Sequence, residues 1–373
     1  MIKYLGSKRT LVGAISAVVG ALPGITTAAD PFTGTTRVAQ ALKQLGLHVT
    51  ANDLSAYALQ FARCYIEADA DEVDMAYLTT AIDTLNSLPG RPGYVTNMFC
   101  HEARYFTPDN GARIDAMRAA IDCLARGEIE RSILLTSLIE AADRVDSTTG
   151  VQMAYLKQWA ARAHNPIKLR VPELLPGSGR AMCADANDVS VTDICSGCDV
   201  VYLDPPYNQH SYLGNYHVWE TLSRDDEPEA YGIARKRIDT RERRSDYNST
   251  RRAEQAFTQL VRDIEAPWLV VSFNAEGFLA TESIIDILAD QAVHVGVLPI
   301  DHPRYVGARI GIHNKQGVKV GKISHVRTTE NIFLAGDDPD VIMQALNAGA
   351  EVLGKRVPEP PYLATSMRKL RFS

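Results

Sequence analysis

The chain has 373 residues, 46% of them hydrophobic and 23% charged, with a formal net charge of −6. That length supports a full core and a second lobe, and that composition is ordinary for a soluble globular chain. No apolar run approaches the roughly 20 residues needed to cross a bilayer, so a membrane role is not expected, whereas nucleic acid stays open because a local basic face is enough to bind it.

The amino terminus, Met1-Ile2-Lys3-Tyr4-Leu5-Gly6-Ser7-Lys8-Arg9, leads into small apolar residues. Gly6, Gly13 and Gly20 break the run and no clean cleavage site follows, so a cytoplasmic protein is expected. Leu11, Val12, Ile15, Val18, Val19 and Leu22 recur at helical spacing over residues 7–22, and Pro23-Gly24 ends that helix. Ile25-Thr26-Thr27-Ala28-Ala29 reads as a short strand running into Asp30-Pro31-Phe32-Thr33-Gly34. A helix from Val38 to Leu45 stops at Gly46, and Leu47-His48-Val49-Thr50-Ala51 is a second strand ending at Asn52-Asp53. This strand–turn–helix–strand unit with an acid at its far end is half of a doubly wound nucleotide-binding sheet.

Residues 55–159 change character to long helical patterns, too many for one crossover, so part of this region reads as an inserted lobe. The α/β pattern resumes with Arg180-Ala181-Met182-Cys183-Ala184-Asp185-Ala186. Val200-Val201-Tyr202-Leu203 then reads as a buried parallel strand, stopped by Asp204-Pro205-Pro206-Tyr207. The two prolines hold the backbone extended. They leave a carboxylate, unclaimed carbonyls and an aromatic ring at a strand's carboxyl end, where open α/β sheets bind ligands. Such a group suits a flat base with an exocyclic amine, while the plain alternative is a strand ending in a proline turn.

Residues 235–252 carry Arg235, Lys236, Arg237, Arg241, Arg243, Arg244, Arg251 and Arg252 against Asp239, Glu242 and Asp246. They form either a solvated loop or a footprint for phosphates. Trp268-Leu269-Val270-Val271-Ser272-Phe273-Asn274 is a further buried strand, followed by a helix from Thr281 to Leu288. Stretches from His294 to Ile300, Val318 to Arg327 and Ile332 to Leu334 suggest closing strands. The six cysteines show no disulfide framework, and the lone Cys195-Ser196-Gly197-Cys198 pair lacks the second pair a structural zinc needs, so no metal is expected.

Gly34 in the turn after the first strand lets a ligand approach the backbone, and Asp53 stands where an acid commonly holds ribose hydroxyls. Asp185 could face a purine edge or cap the next helix, with Asn187 competing for that cap. Acids that end four strands, Asp30, Asp53, Asp185 and Asp204, point to a common ligand more strongly than any one of them.

In this order, Lys3-Tyr4-Leu5-Gly6-Ser7-Lys8-Arg9, Asp30-Pro-Phe-Thr-Gly34, Asn52-Asp53 and Asp204-Pro-Pro-Tyr207 resemble the Dam/FokI type of DNA adenine methyltransferase. Gly150-Val-Gln-Met-Ala-Tyr155-Leu-Lys157, Asn208-Gln-His-Ser-Tyr212, Asn215-Tyr-His217, Glu220 and Ser272-Phe-Asn274 resemble its FokI-associated branch. The chain departs from that pattern at Thr36, where the family usually has a second glycine.

The resemblance implies a Rossmann-like class I S-adenosylmethionine-dependent methyltransferase sheet with helices on both faces. Residues 1–66 and 176–340 would form the catalytic domain, 67–175 a mainly helical lobe for target recognition and 341–373 a C-terminal extension. Within the lobe, Arg91, Asn97, His101 and Arg104 are candidates for reading sequence. Tyr4, Gly6, Ser7 and Lys8 would hold the methionine end of S-adenosylmethionine. Asp30, Phe32 and Gly34 would form the cofactor loop, Asp53 would take the ribose and Asp185 would lie near the adenine. Asp204 and the Pro205 carbonyl would accept the amine hydrogens of a flipped adenine in double-stranded DNA, with Tyr207 stacked on the ring. A cognate restriction endonuclease is a possible companion. Three alternatives remain open at this stage: transfer to the amine of cytosine, a DNA-binding module without transfer, and an RNA methyltransferase.

Overall fold

A computed structural model describes residues 2–4, 8–156, 158–188, 190–209, 211–303 and 327–366. Gly6, Ser7, Lys157 and most of the strand expected from Val318 lie outside the described residues. The first helix is shorter than its apolar spacing predicts: a 3-10 turn, Lys8–Thr10, precedes α1 (Val12–Gly20). Then follow β1 (Thr27–Asp30), α2 (Arg37–Gln44), β2 (His48–Asn52) and α3 (Ala56–Ala62), close to the expected unit.

The long helical stretch resolves into α4 (Met75–Ser87), α5 (Pro108–Leu124) and α6 (Glu128–Val145). Single π-helical turns at Arg63–Glu67 and Thr96–His101, which apolar spacing does not signal, flank α4. After β3 (Arg180–Met182), α7 (Ser190–Cys195) leads to β4 (Val200–Leu203). Short α8 (Tyr212–Asn215) and α9 (His217–Arg224) follow, then a small hairpin of β5 (Ala230–Tyr231) and β6 (Lys236–Arg237). The chain goes on through α10 (Ala253–Asp263), β7 (Trp268–Asn274), α11 (Thr281–Leu288), β8 (His294–Pro303), β9 (Arg327–Gly336), α12 (Pro339–Leu353) and β10 (Tyr362–Ala364).

Eight strands form one sheet in the order β10-β8-β9-β7-β4-β1-β2-β3. Strands β3, β2, β1, β4 and β7 run parallel, whereas β9 is antiparallel to both β7 and β8. The strand expected at Ile332–Leu334 lies within the ten-residue β9, Arg327–Gly336. Both sheet faces are covered, which is why β4 and β7 read as continuous apolar runs rather than alternating ones. Val200, Tyr202 and Val270 enter one core, while Val201, Leu203, Leu269, Val271 and Phe273 enter the other. The first core continues without a break into α4, α5 and α6. In the expected C-terminal extension, α12 packs on α1 and β8, and β10 pairs with β8 at the sheet edge. Asp338 caps α12, accepting from the Asp340 and Val341 amides, with Pro339 at the first position. Among the described residues no helix is long and apolar enough to cross a membrane.

Because β1 leads on one side to β2 while the chain later returns on its other side as β4, the switch point of the sheet lies between β1 and β4. Asp30 is the last residue of β1 and Asp204 directly follows β4. The turn after β1 keeps its shape despite the missing glycine: Thr36 is fully buried in the left-handed region at φ 62°, beside Gly34 at φ 51°. A branched side chain there is strained. Its hydroxyl donates to the Thr35 carbonyl at 2.7 Å and accepts from Gln40 Nε2 at 2.8 Å, which helps hold it.

The stretch Gly150-Val-Gln-Met joins the helical lobe to the site. Gln152 is buried; its amide donates to the Asn215 carbonyl at 2.8 Å, and its Oε1 accepts from the Val218 amide at 2.8 Å. His217 Nε2 lies 3.0 Å from the Gln152 carbonyl. Gln152→Ala strands the buried Val218 amide and is expected to cost about 1–3 kcal/mol, read as a lower midpoint in chemical denaturation.

Candidate active site

The carboxyl ends of β1, β2 and β4 open onto a cleft of about 1080 Å³, counting space open to solvent. Asp30, Phe32 and Gly34 line it from the first turn and Asp53 from the end of β2. Asp185, Asp204 and Pro206 complete the strand-end side, with Tyr4 and Lys8 from the amino terminus. Thus every described residue expected to hold the cofactor borders one space. Pro205 and Tyr207 do not line this cleft; Tyr207 packs edge-on against Phe273, with ring centroids 5.8 Å apart.

Asp30 is buried, Asp53 and Asp204 are half-buried, and each is held above the usual carboxylate range. Burial, reinforced by the Asp204 charge, pushes Asp30 up to about 8 although the Phe32 amide donates to it at 3.3 Å. Burial also raises Asp53, even though the Gly34 and Ser55 amides donate to it at 3.0 and 2.9 Å. For Asp204, burial lifts the carboxyl to about 6 against the opposing pull of Lys8. A cleft of raised acids gains from a cationic, hydroxyl-bearing ligand.

Tyr4 closes one side. Its ring stacks on Tyr212 and Tyr216 at 5.3 and 4.6 Å, and its hydroxyl is 3.3 Å from that of Tyr57. A Cβ built on Gly34 would meet the Tyr4 hydroxyl at 3.2 Å, so glycine there serves both the turn and this close contact.

Lys8 is buried at 7% exposure, and its amine lies 3.0 Å from Asp204 Oδ1 and in an ion pair with Glu330. Glu330 sits on β9 opposite Asn274 of β7, whose amide group donates to it at 3.4 Å. Sequence reading missed Glu330 because nothing in a strand pattern announces an antiparallel neighbour. Its signal was an acid and an amide opening an apolar run, Glu330-Asn-Ile-Phe-Leu-Ala335.

The basic segment divides into three groups. Arg237, expected to meet phosphate, is 3% exposed and donates to Asp226 at 2.6 Å and to Asp239 at 3.1 Å. A guanidinium so neutralised has nothing left for a backbone. Arg243 also turns inward, lining the cleft and donating to Glu220 at 2.9 Å and to the Leu54 carbonyl at 3.2 Å. Arg235 pairs with Glu102, Arg241 stacks 4.1 Å over Tyr231, and Lys236 is half-buried near Gly214. Arg244, Arg251 and Arg252 face outward around a second, shallow cleft, although Arg252 also pairs with Asp246 at 2.8 Å. That cleft adjoins the Asp-Pro-Pro-Tyr loop, since Asn248 Nδ2 donates to the Asn208 carbonyl at 2.8 Å and the Phe278 amide to Tyr207 at 3.1 Å. Tyr247, between the two clefts, meets Phe32 edge-on at 5.3 Å.

The lobe candidates scatter. Asn97 and His101 are exposed, Arg91 borders a separate groove, and Arg104 stacks 4.7 Å over Trp159.

A family model described as D12 class N6 adenine-specific DNA methyltransferase matches residues 4–271. Modification methylase StsI of Streptococcus sanguinis is 29% identical over 81% of this chain and 48% of that protein. Type II methyltransferase M.NlaIII of Neisseria lactamica is 30% identical over 76% of this chain and 86% of its own length. Type II methyltransferase M.FokI of Planomicrobium okeanokoites is 35% identical over 52% of this chain and 30% of its own. The chain therefore spans about half the length of the StsI methylase and most of M.NlaIII. No solved structure matches it. With its acid-lined cleft at the switch point and its motifs in family order, the chain belongs to the D12 class of N6 adenine-specific DNA methyltransferases.

Proposed function

We propose that this protein is a site-specific DNA methyltransferase that moves a methyl group from S-adenosylmethionine to the exocyclic amine of an adenine flipped out of duplex DNA. The observation that carries this reading is the single cleft shared by Asp204, the Asp30–Gly34 turn and Asp53. When bound, S-adenosylmethionine supplies a methyl group already activated by the positive charge on sulfur. The chain's donors and acceptors fit such a ligand. Asp30 offers a buried carboxylate and Asp53 a half-buried one that a cation and sugar hydroxyls would satisfy, and Phe32 with Tyr247 offers an aromatic wall.

Asp204 and the Pro205 carbonyl would accept the two amine hydrogens and so turn the nitrogen lone pair towards the methyl. Pro206 keeps that line of carbonyls extended, and Tyr207 would stack on the base once it is flipped. Positioning and fixed charge then provide most of the rate. Arg244, Arg251 and Arg252, beside the Asp-Pro-Pro-Tyr loop, would hold phosphates next to the flipped nucleotide. In this reading residues 67–175 form the target-recognition lobe, and 1–66 with 176–340 form the catalytic domain.

The direct test is to incubate the purified protein with methyl-labelled S-adenosylmethionine and duplex DNA and identify the labelled nucleoside. Label in N6-methyladenine is expected; label on cytosine, or only in RNA, overturns the proposal. Asp204→Ala should lower transfer by roughly a hundredfold or more while sparing DNA affinity in a binding titration. Since the ionised carboxylate is the form that accepts amine hydrogens, kcat of the wild type should fall as pH drops through about 6. Arg244→Ala and Arg251→Ala should each reduce the salt slope of DNA binding by roughly one. Arg237→Ala should leave that slope alone and cost on the order of 2 kcal/mol of stability, a figure discounted because Asp226 is partly exposed.

A further inference from the structure

Two carboxylates, Asp204 and Glu330, share the one buried ammonium of Lys8. Glu330 is 3% exposed and stands 322 residues from Lys8 in sequence. It is fixed from behind: Thr328 Oγ1 donates to Asn274 Oδ1 at 3.1 Å, and Asn274 Nδ2 donates to Glu330 Oε2 at 3.4 Å. The chain of contacts Thr328, Asn274, Glu330, Lys8, Asp204 crosses from β9 and β7 to the end of β4. At its far end Asp204 Oδ1 is wholly buried and faces the Lys8 amine. The Asp204 side chain nevertheless keeps 18% exposure and lines the cleft. Its carboxylate is therefore held with Oδ1 inward and its remaining atoms towards the cleft.

We propose that Glu330 is a positioning residue for methyl transfer, acting through Lys8 to orient the Asp204 carboxylate and keep it a strong acceptor. The role rests on the reaction proposed above. Without Glu330, the whole ammonium charge falls on Asp204, and a carboxylate fully occupied by one cation accepts weakly from an incoming amine. With Glu330 present, the ammonium is divided, and Asp204 retains negative charge to spend on the base. The arrangement also resolves the burial problem, since an ammonium taken out of water needs more compensation than one half-exposed carboxylate gives.

The groups that face Asp204 are Lys8 from the turn before α1, Glu330 from β9 and Asp30 from β1. Tyr202 of β4, Tyr207 of the following loop and Tyr212 of α8 complete its surroundings. Of these, Lys8 lowers the pKa of Asp204 and Glu330 raises it. Glu330→Gln therefore lowers it, and the acidic limb of the kcat–pH profile should move to lower pH by on the order of one unit. At neutral pH kcat should fall roughly tenfold or more, the scale of one weakened charge-assisted hydrogen bond, while KM for DNA stays unchanged.

The experiment compares the wild type, E330Q, K8M and the double variant K8M/E330Q in kcat against pH, with thermal melts alongside. In the K8M background E330Q should cost no further kcat at neutral pH, because Glu330 orients Asp204 through Lys8, although the limb still moves with the loss of Glu330's direct repulsion of Asp204. A neutral-pH kcat unchanged in E330Q, or lowered by the same factor with and without Lys8, overturns the role; a purely structural Glu330 would lower the melting temperature and leave the kcat of the folded protein in place. Should E330Q fail to fold, the double variant carries no unpaired buried cation: a kcat equal to that of K8M supports the role, and a further loss overturns it. Wild-type protein that leaves adenine unmethylated overturns the reaction and this role together, whereas an active wild type with an unchanged kcat in E330Q overturns this role alone.

Discussion

The buried ammonium of Lys8 is the constraint on which the site depends. An unpaired cation at 7% exposure would be intolerable, so wherever Lys8 goes two carboxylates must follow. That requirement draws the amino-terminal turn, the end of β4 and the middle strand of the terminal hairpin to one point. Asp204 cannot drift from the cleft without exposing the pair, and the proline pair after it removes the backbone freedom to try. The aromatic stack of Tyr4 on Tyr212 and Tyr216 places a second amino-terminal side chain on the wall of the same cleft.

Charge is distributed against the overall composition. The cleft gathers acids whose burial resists ionisation, and the outward arginines lie next door around the Asp-Pro-Pro-Tyr loop. Between them run Arg243 and Tyr247, one tied to Glu220 and the Leu54 carbonyl, the other set edge-on to Phe32. A segment that looks uniformly basic in sequence is thus part core, part wall and part exposed surface. Arg237 has more in common with a buried core side chain than with Arg244.

Much of this was legible in the residues. Apolar runs ending in acids located β1, β2, β4 and their cleft, because strands buried on both faces and stopped by Pro or turn residues leave few other readings. The parts that escaped share one cause: partners distant in sequence. Glu330 became part of the site only because β9 runs antiparallel between β7 and β8. Arg237 is drawn into the core because Asp226 closes on it from before the hairpin. Gln152 lies in a family-like motif and satisfies the Val218 amide and the Asn215 carbonyl, partners more than sixty residues away in sequence. Thr36, read as a departure, keeps the left-handed turn that glycine would have made.

The antiparallel strand β9 bears on how much of this chain the cleft requires. The recognisable motifs end at Asn274, just past residues 4–271, the span that the family pattern covers. The carboxylate completing the Lys8 cluster falls 59 positions beyond it, at Glu330. A chain shortened to the motif-bearing span would carry each signature residue and still be two devices short. β7 would become an open sheet edge without its β9 partner, prone to pairing with other chains. Lys8 would face Asp204 alone. Motif content and structural self-sufficiency are separate properties here, and the boundary of the working unit is set by charge compensation and edge protection.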